Sequence, residues 1–152
     1  MFDKPHTRLA TPDDAAELAV TMRDADLREL ALGSHSGPYD ALMRGLVYSA
    51  EARAVVTAEG EVAAIYGVVP QGHGRGSPWL LGADCIQDIA VPFLRGSRSV
   101  VAEMHLKYPL LHHQVWEGNT LHVRWLRWLG FTVEPSPTTR PNFLNFWRTN
   151  HV

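Results

Sequence analysis

The stretch LHHQVWEGNTLHVRWLRWLGFTVE, Leu111 to Glu134, leaves the chain few folds to choose from. Leu111–Trp116 reads as a strand. Asn119 is a strong N-cap residue, an amphipathic helix follows it to Leu129, and Gly130 supplies the left-handed stop. Phe131–Glu134 then returns as a strand. A strand, a capped helix and a second strand in such close succession imply a sheet with helices packed on it, and not an all-helical bundle.

The rest of the chain extends that pattern. Thr7–Ala10 reads as a short strand, and Thr11, Pro12, Asp13 and Asp14 supply an N-cap, a first-turn proline and acids that favour a helix N-terminus. Ala15, Leu18, Ala19 and Met22 share a helical face, and Leu27, Leu30 and Ala31 continue an apolar stripe to Gly33, as one broken helix or two short ones. Ser34–Pro38 reads as a turn and Tyr39–Tyr48 as a helix opened by Pro38. Arg53–Ala58 and Val62–Val69, parted by Glu59 and Gly60, form a hairpin pattern. Gln71–Ser77 reads as a glycine-rich loop. Trp79–Leu81 begins another central strand, and a helical region follows in which Phe93, Val100, Val101 and Met104 share a face. Asn142–Trp147 is a last strand after a Pro-rich loop. The expected architecture is α/β, a central mixed, mostly antiparallel sheet with helices on both faces, formed as a single domain over residues 1–152.

Composition fits that architecture and excludes several functions. A chain of 152 residues, 45% hydrophobic and 20% charged, is long enough for one buried core and short for two. A net charge of -2 and a pI near 6.4 give no global attraction to nucleic acid or anionic membrane. Cys85 is the only cysteine, so no intrachain disulfide forms, and it reads as a small buried hydrophobe. No signal peptide and no run of apolar residues long enough to span a membrane are present, so a cytoplasmic protein is expected. The eight histidines show no metal-site spacing, and no metal is expected.

The Asn119–Leu129–Gly130–Phe131 segment resembles the last block of the GNAT acyltransferases, in which a strand leads to an Asn, a helix and Leu-Gly-Phe. The Thr-Pro-Asp-Asp opening is similar to theirs as well. Closer still is a group of small tailed-phage proteins, some of them internal virion proteins. These carry Phe-Leu-Arg-x-Ser-Arg, Tyr-Pro-x-Leu and the Asn block, here Phe93–Arg98, Tyr108–Leu111 and Asn119 onward. The detailed resemblance covers Trp79–Glu134. It implies the GNAT fold, acetyl-CoA as cofactor, and a place in the host cytoplasm or in a virion.

The catalytic pattern that the resemblance implies is broken in two places. GNAT enzymes hold the pyrophosphate on Arg/Gln-x-x-Gly-x-Gly/Ala, whose glycines let backbone N–H groups approach it at a helix N-terminus. With Arg95 first, Arg98 and Val100 stand at the glycine positions. Arg95, Ser97, Arg98 and Ser99 are then the donors left to meet phosphates, and a solvated helix face is their plain reading. Many members also place a proton-donating Tyr seven residues after the Asn, where this chain has Leu126. Tyr108, a histidine or water would have to replace it.

Asp84, His113, Glu117 and His122 are chemically able to take a proton from an amine. Asp84, His113 and Glu117, with Asn119, form the candidate catalytic set. On a strand His112 and His113 point to opposite faces. Leu121, Trp125, Trp128 and Leu129 share a helical face that reads as core, leaving Thr120, Arg124 and Arg127 as an exposed stripe. The Gln71–Gly76 glycines precede no helix and are no phosphate cradle, and a flexible hairpin or substrate-side loop is their plain reading.

Two functions compete at this level. One is a phage-type GNAT-fold protein, degenerate or non-standard in acyl-CoA use, that works in a virion or on a host protein. The other is an acetyl-CoA-dependent N-acetyltransferase acting on an amine. The expected partner is accordingly another protein or a small amine, or a second copy in a homodimer. Nucleic-acid binding through Arg95, Arg98, Arg124 and Arg127 is disfavoured by the overall charge.

Overall fold

Thr11 closes a capping box. Its hydroxyl accepts from Asp14 N–H at 3.2 Å and the Asp14 carboxylate accepts from Thr11 N–H at 2.9 Å. Arg8 grips the same carboxylate with both guanidinium nitrogens, at 2.5 and 2.9 Å. That fixes the step from strand β1 (His6–Leu9) into helix α1 (Pro12–Thr21). The structure, a computed structural model, describes residues 5–33, 37–135 and 140–150. Most of the turn expected at Ser34–Pro38, and of the Pro-rich loop, lies outside them.

The other elements are α2 (Asp24–Gly33), α3 (Pro38–Tyr48), β2 (Ala52–Val56), β3 (Val62–Gly72), β4 (Arg75–Gly82), a 3-10 turn (Asp84–Ile89), α4 (Ala90–Lys107), β5 (Leu110–Trp116), α5 (Thr120–Trp128), β6 (Thr132–Pro135) and β7 (Phe143–Thr149). The first helical stretch is thus two helices. Met22 forms an isolated antiparallel bridge with Ala83 at the break.

The glycine-rich segment is the hairpin of its two readings, with little loop in it. β3 runs on to Gly72, β4 starts at Arg75, and only His73 and Gly74 turn the chain. Both have positive φ, 55° and 75°, as a two-residue hairpin turn that matches strand twist requires. Gly76 is a packing glycine, because a Cβ there would lie 2.7 Å from Val68 Cγ2 and 2.9 Å from Tyr108 Cγ.

The sheet order is β1-β2-β3-β4-β5-β7-β6. Every neighbouring pair is antiparallel except β4–β5. Leu18, Leu42, Val56, Ile65 and Leu81 form the core on the α1/α3 face. Leu111, Val115, Val123, Leu126 and Phe146 form one cluster on the other face, and Ile86, Ile89 and Trp125 a second. Cys85 is half-buried beside these cores, and burial pushes its thiol up.

Two stripes differ from their sequence reading. On α2, Leu27 and Leu30 are half-buried, Ala31 is exposed, and the buried residue is Asp26. On α5, Trp125 is buried but Trp128 is 42% exposed, at the rim, with the Arg98 guanidinium 3.9 Å above its ring.

The β4–β5 seam departs from a regular sheet. Its ladder consists of Arg75↔Leu110 and Gly76↔Leu111 alone, after which the strands part. Opposite β3, Pro78 and Gly76 pair with Val68 and Pro70. Proline cannot donate, so these are the non-hydrogen-bonded pairs, and the alternation makes Leu80 and Gly82 non-bonded toward β3 as well. Ala83 N–H to Ala63 O, 2.8 Å, confirms the phase. The peptide edges of Leu80 and Gly82 therefore face the gap. On β5, Asn150 N–H to Pro109 O and Glu117 N–H to Asn142 O, both 2.9 Å, set the phase. His112, Gln114 and Trp116 present their edges to the gap from that side.

Candidate functional site

At the wide end of this gap four polar side chains from distant segments converge. Asp26 Oδ2 accepts from Gly82 N–H at 2.9 Å, on the β4 side. Glu29 Oε1 accepts from Trp116 N–H at 3.1 Å, on the β5 side. Asn119 Nδ2 donates to Asp26 Oδ1 at 2.7 Å and to Glu29 Oε1 at 3.3 Å. The Arg23 guanidinium reaches Asp26 Oδ1 at 3.2 Å and Asn119 Oδ1 at 3.4 Å, while Arg23 N–H donates to Gly82 O at 2.8 Å. Arg23, Asp26 and Asn119 are buried. The α1–α2 segment thus bridges the parted strands with side chains where a sheet would use backbone.

The electrostatics are tuned by that burial. Glu29 is half-buried, and desolvation, reinforced by the neighbouring Asp26, raises its carboxyl to about 7 against the bonds from Trp116 and Asn119. His122, on the first turn of α5, is held below the ordinary imidazole range by burial and by Arg23, with Asp26 opposing. Its Nδ1 is buried and has no hydrogen-bond partner. The His113 ring reaches solvent but is surrounded by protein, lying 6.2 Å from the Phe146 ring. That surrounding, with His112, His122 and Arg140, brings it down to about 4.

Of the residues singled out by sequence, Asn119 enters the cluster. Its side chain makes no cap bond to α5 and is spent on Arg23, Asp26 and Glu29. His113 lies on the gap-side strand and feels His122 electrostatically. Asp84, at the start of the 3-10 turn, and Glu117, after β5, are exposed and outside the network. Arg95, Arg98 and Ser99 are exposed in the second and third turns of α4, and Ser97 Oγ donates to Phe93 O at 2.7 Å. Sequence reasoning missed Arg23, Asp26 and Glu29. Their three-residue spacing sets them beside Leu27 and Leu30, and acids interleaved with the leucines of one helix face were the available signal.

The residues at the helix entrance do not fit a pyrophosphate. The segment matching the phosphate loop lies inside α4, where its backbone N–H groups are already used by the helix. The turn that actually leads in carries Asp84 and Asp88, whose charge opposes phosphate. Leu126, at the position of the family's tyrosine, is buried core. Among the described residues no group of His, Cys, Asp and Glu could hold a metal ion, and no helix is long and apolar enough to cross a membrane.

No protein-family model and no curated protein matches the sequence. Solved structures do. The GNAT domain of S. lividans PAT superposes with a TM-score of 0.67 at 17% identity, over 96% of this chain and 90% of that one. The ribosomal-protein-S5-alanine acetyltransferase from Vibrio fischeri gives 0.65 at 15%, over 99% and 95%. A spermidine N-acetyltransferase SpeG chimera from Vibrio cholerae and hSSAT gives 0.65 at 13%, over 97% and 96%. The fold is the GNAT fold, with its parted β4–β5 seam and its helices on both faces.

Proposed function

We propose that this chain is a phage-type GNAT-fold protein that does not use acetyl-CoA in the ordinary way and acts in the virion or on a host protein. One observation carries the reading. Both backbone N–H groups at the wide end of the β4–β5 gap, Gly82 and Trp116, are bonded to Asp26 and Glu29 within a buried network. A ligand laid along that end must break it. The turn that leads into α4, which carries Asp84 and Asp88 and no glycine, supports the same reading. The resemblance to small tailed-phage proteins supports the setting, and a fold by itself assigns no activity.

Calorimetry with CoA and acetyl-CoA tests this. The expected result is no saturable heat at millimolar ligand. Micromolar binding of either, with acetyl transfer to any amine, overturns the proposal.

A second reading, an acetyl-CoA-dependent N-acetyltransferase acting on a small amine, draws on Glu29. A carboxyl near 7 is about half ionised at neutral pH, the poise of a general base. Acetyl transfer lost in Glu29→Gln with the fold intact would establish that reading.

A further inference from the structure

A cavity of about 340 Å³ lies between the sheet and the α4/α5 layer. Its floor crosses the sheet from Thr7 of β1 through Val55, Tyr66 and Leu80 to Phe146 of β7. In the strand order that is five inter-strand spacings, about 24 Å. So small a volume drawn out over that distance is a slot one chain wide. α4 roofs it through Phe93, Val100 and Met104, and Phe93 meets Trp125 of α5 with ring centroids 5.1 Å apart.

The lining decides what the slot can hold. No Asp, Glu, Lys or Arg is among the described residues that line it. Of its polar residues, the Ser97 hydroxyl is already bonded to Phe93 O and the Thr7 hydroxyl accepts from Arg53. His6, Tyr66 and His122 are the others in a lining that is otherwise apolar apart from backbone and the Trp79 and Trp125 indoles. The roof is loosely held, since only Val101 and His105 of the 18-residue α4 are buried, although a helix of that length over a filled core would bury a full stripe. An apolar space under an under-packed helix lacks contacts that a filling group would supply.

We propose that this slot binds a long saturated aliphatic chain, as a free fatty acid or as the acyl part of a larger molecule. The slot crosses the sheet past the β4–β5 gap, but Arg23, Asp26, Glu29, Gly82, Trp116 and Asn119 are not among its lining residues, so the proposal rests on the apolar lining and not on that network.

The test titrates the full chain with butanoate, octanoate and tetradecanoate below their micelle concentrations, reading tryptophan fluorescence and calorimetric stoichiometry. Each methylene buried is expected to tighten binding about fourfold, so that tetradecanoate binds one to one at micromolar concentration and butanoate not at all. Val100→Trp and Ser97→Phe, checked for fold by circular dichroism, are expected to weaken tetradecanoate at least tenfold. Val47→Trp, on exposed α3 surface, is expected to leave it unchanged.

Binding independent of chain length, multiple-site stoichiometry, no tetradecanoate binding, or folded slot variants that bind like the wild type would each overturn the proposal. A comparison with tetradecanoyl-CoA tells the sources apart. Tighter binding of the thioester identifies an acyl conjugate and equal binding the free acid. Micromolar binding of CoA alone would count against the reading under Proposed function and leave the slot standing.

Discussion

The two faces of the sheet are built to different standards. Under α1 and α3, Leu18, Leu42 and Ile65 have no exposed surface and the layers close. Under α4 a slot remains, and the longest helix buries only two residues. The first face behaves as a frame that sets where the strands part. The second is a cover whose fit depends on what lies beneath it. Between them the Arg23–Asp26–Glu29–Asn119 network belongs to the frame, since three of its members come from the α1–α2 segment and hold β4 and β5 at a fixed separation.

The largest effect that separates frame from cover is expected at Asp26. Asp26→Ala leaves the buried Arg23 charge without its ion-pair partner and the Gly82 N–H without its acceptor and should cost about 3–5 kcal/mol in denaturant unfolding. A loss under about 1 kcal/mol would mean that the network is not part of the frame. Next come matched truncations. Leu18→Ala, fully buried on the α1 side, should cost about 3 kcal/mol. Val100→Ala, half-buried over the slot, should cost less than about 1 kcal/mol. Equal costs would erase the distinction.

The pH dependence sharpens it further. Glu29 titrates near 7 in the fold and near 4.5 unfolded, so the native state holds the extra proton between those values. Stability from this group therefore falls as pH rises from about 4.5 to 7, by about 2–3 kcal/mol. His113 is depressed to about 4 from 6.5. In that window its unfolded form binds more protons, and its contribution rises with pH. His105 and His122, also held below the ordinary imidazole range by burial, add to the His113 rise, which opposes the Glu29 fall below pH 6.5 and leaves it alone above. Glu29→Gln should unmask a rise in melting temperature from pH 4.5 to 6.5, and an unchanged profile would remove Glu29 from the account. The smallest effect is expected at the cover's rim. Arg98→Ala removes the guanidinium from the exposed Trp128 ring and should cost about 0.5 kcal/mol in thermal unfolding.

Local signals made much of the fold legible in sequence. The capping box at Thr11, the Pro38 helix start and the Asn119-to-Gly130 helix all stand where the residue types put them, because each depends on neighbours a few positions away. The glycine run was legible as a hairpin but not as packing, because the role of Gly76 exists only once Tyr108 and Val68 lie against it. The α2 acids were illegible for the same reason. Asp26 and Glu29 look like solvated helix charges until β4 and β5 part and leave two N–H groups to be satisfied. Asn119 was legible in position but not in role, because its cap identity hides a side chain committed to Asp26, far away in sequence.

The account rests on the Gly82 and Trp116 N–H groups being held by carboxylates at the wide end of the seam. Backbone NMR of the labelled protein tests this directly. Both amides should resist exchange with solvent and keep their positions as acetyl-CoA is raised to millimolar concentration. Fast exchange at Gly82 and Trp116, or shifts of both that saturate at micromolar acetyl-CoA, would contradict it.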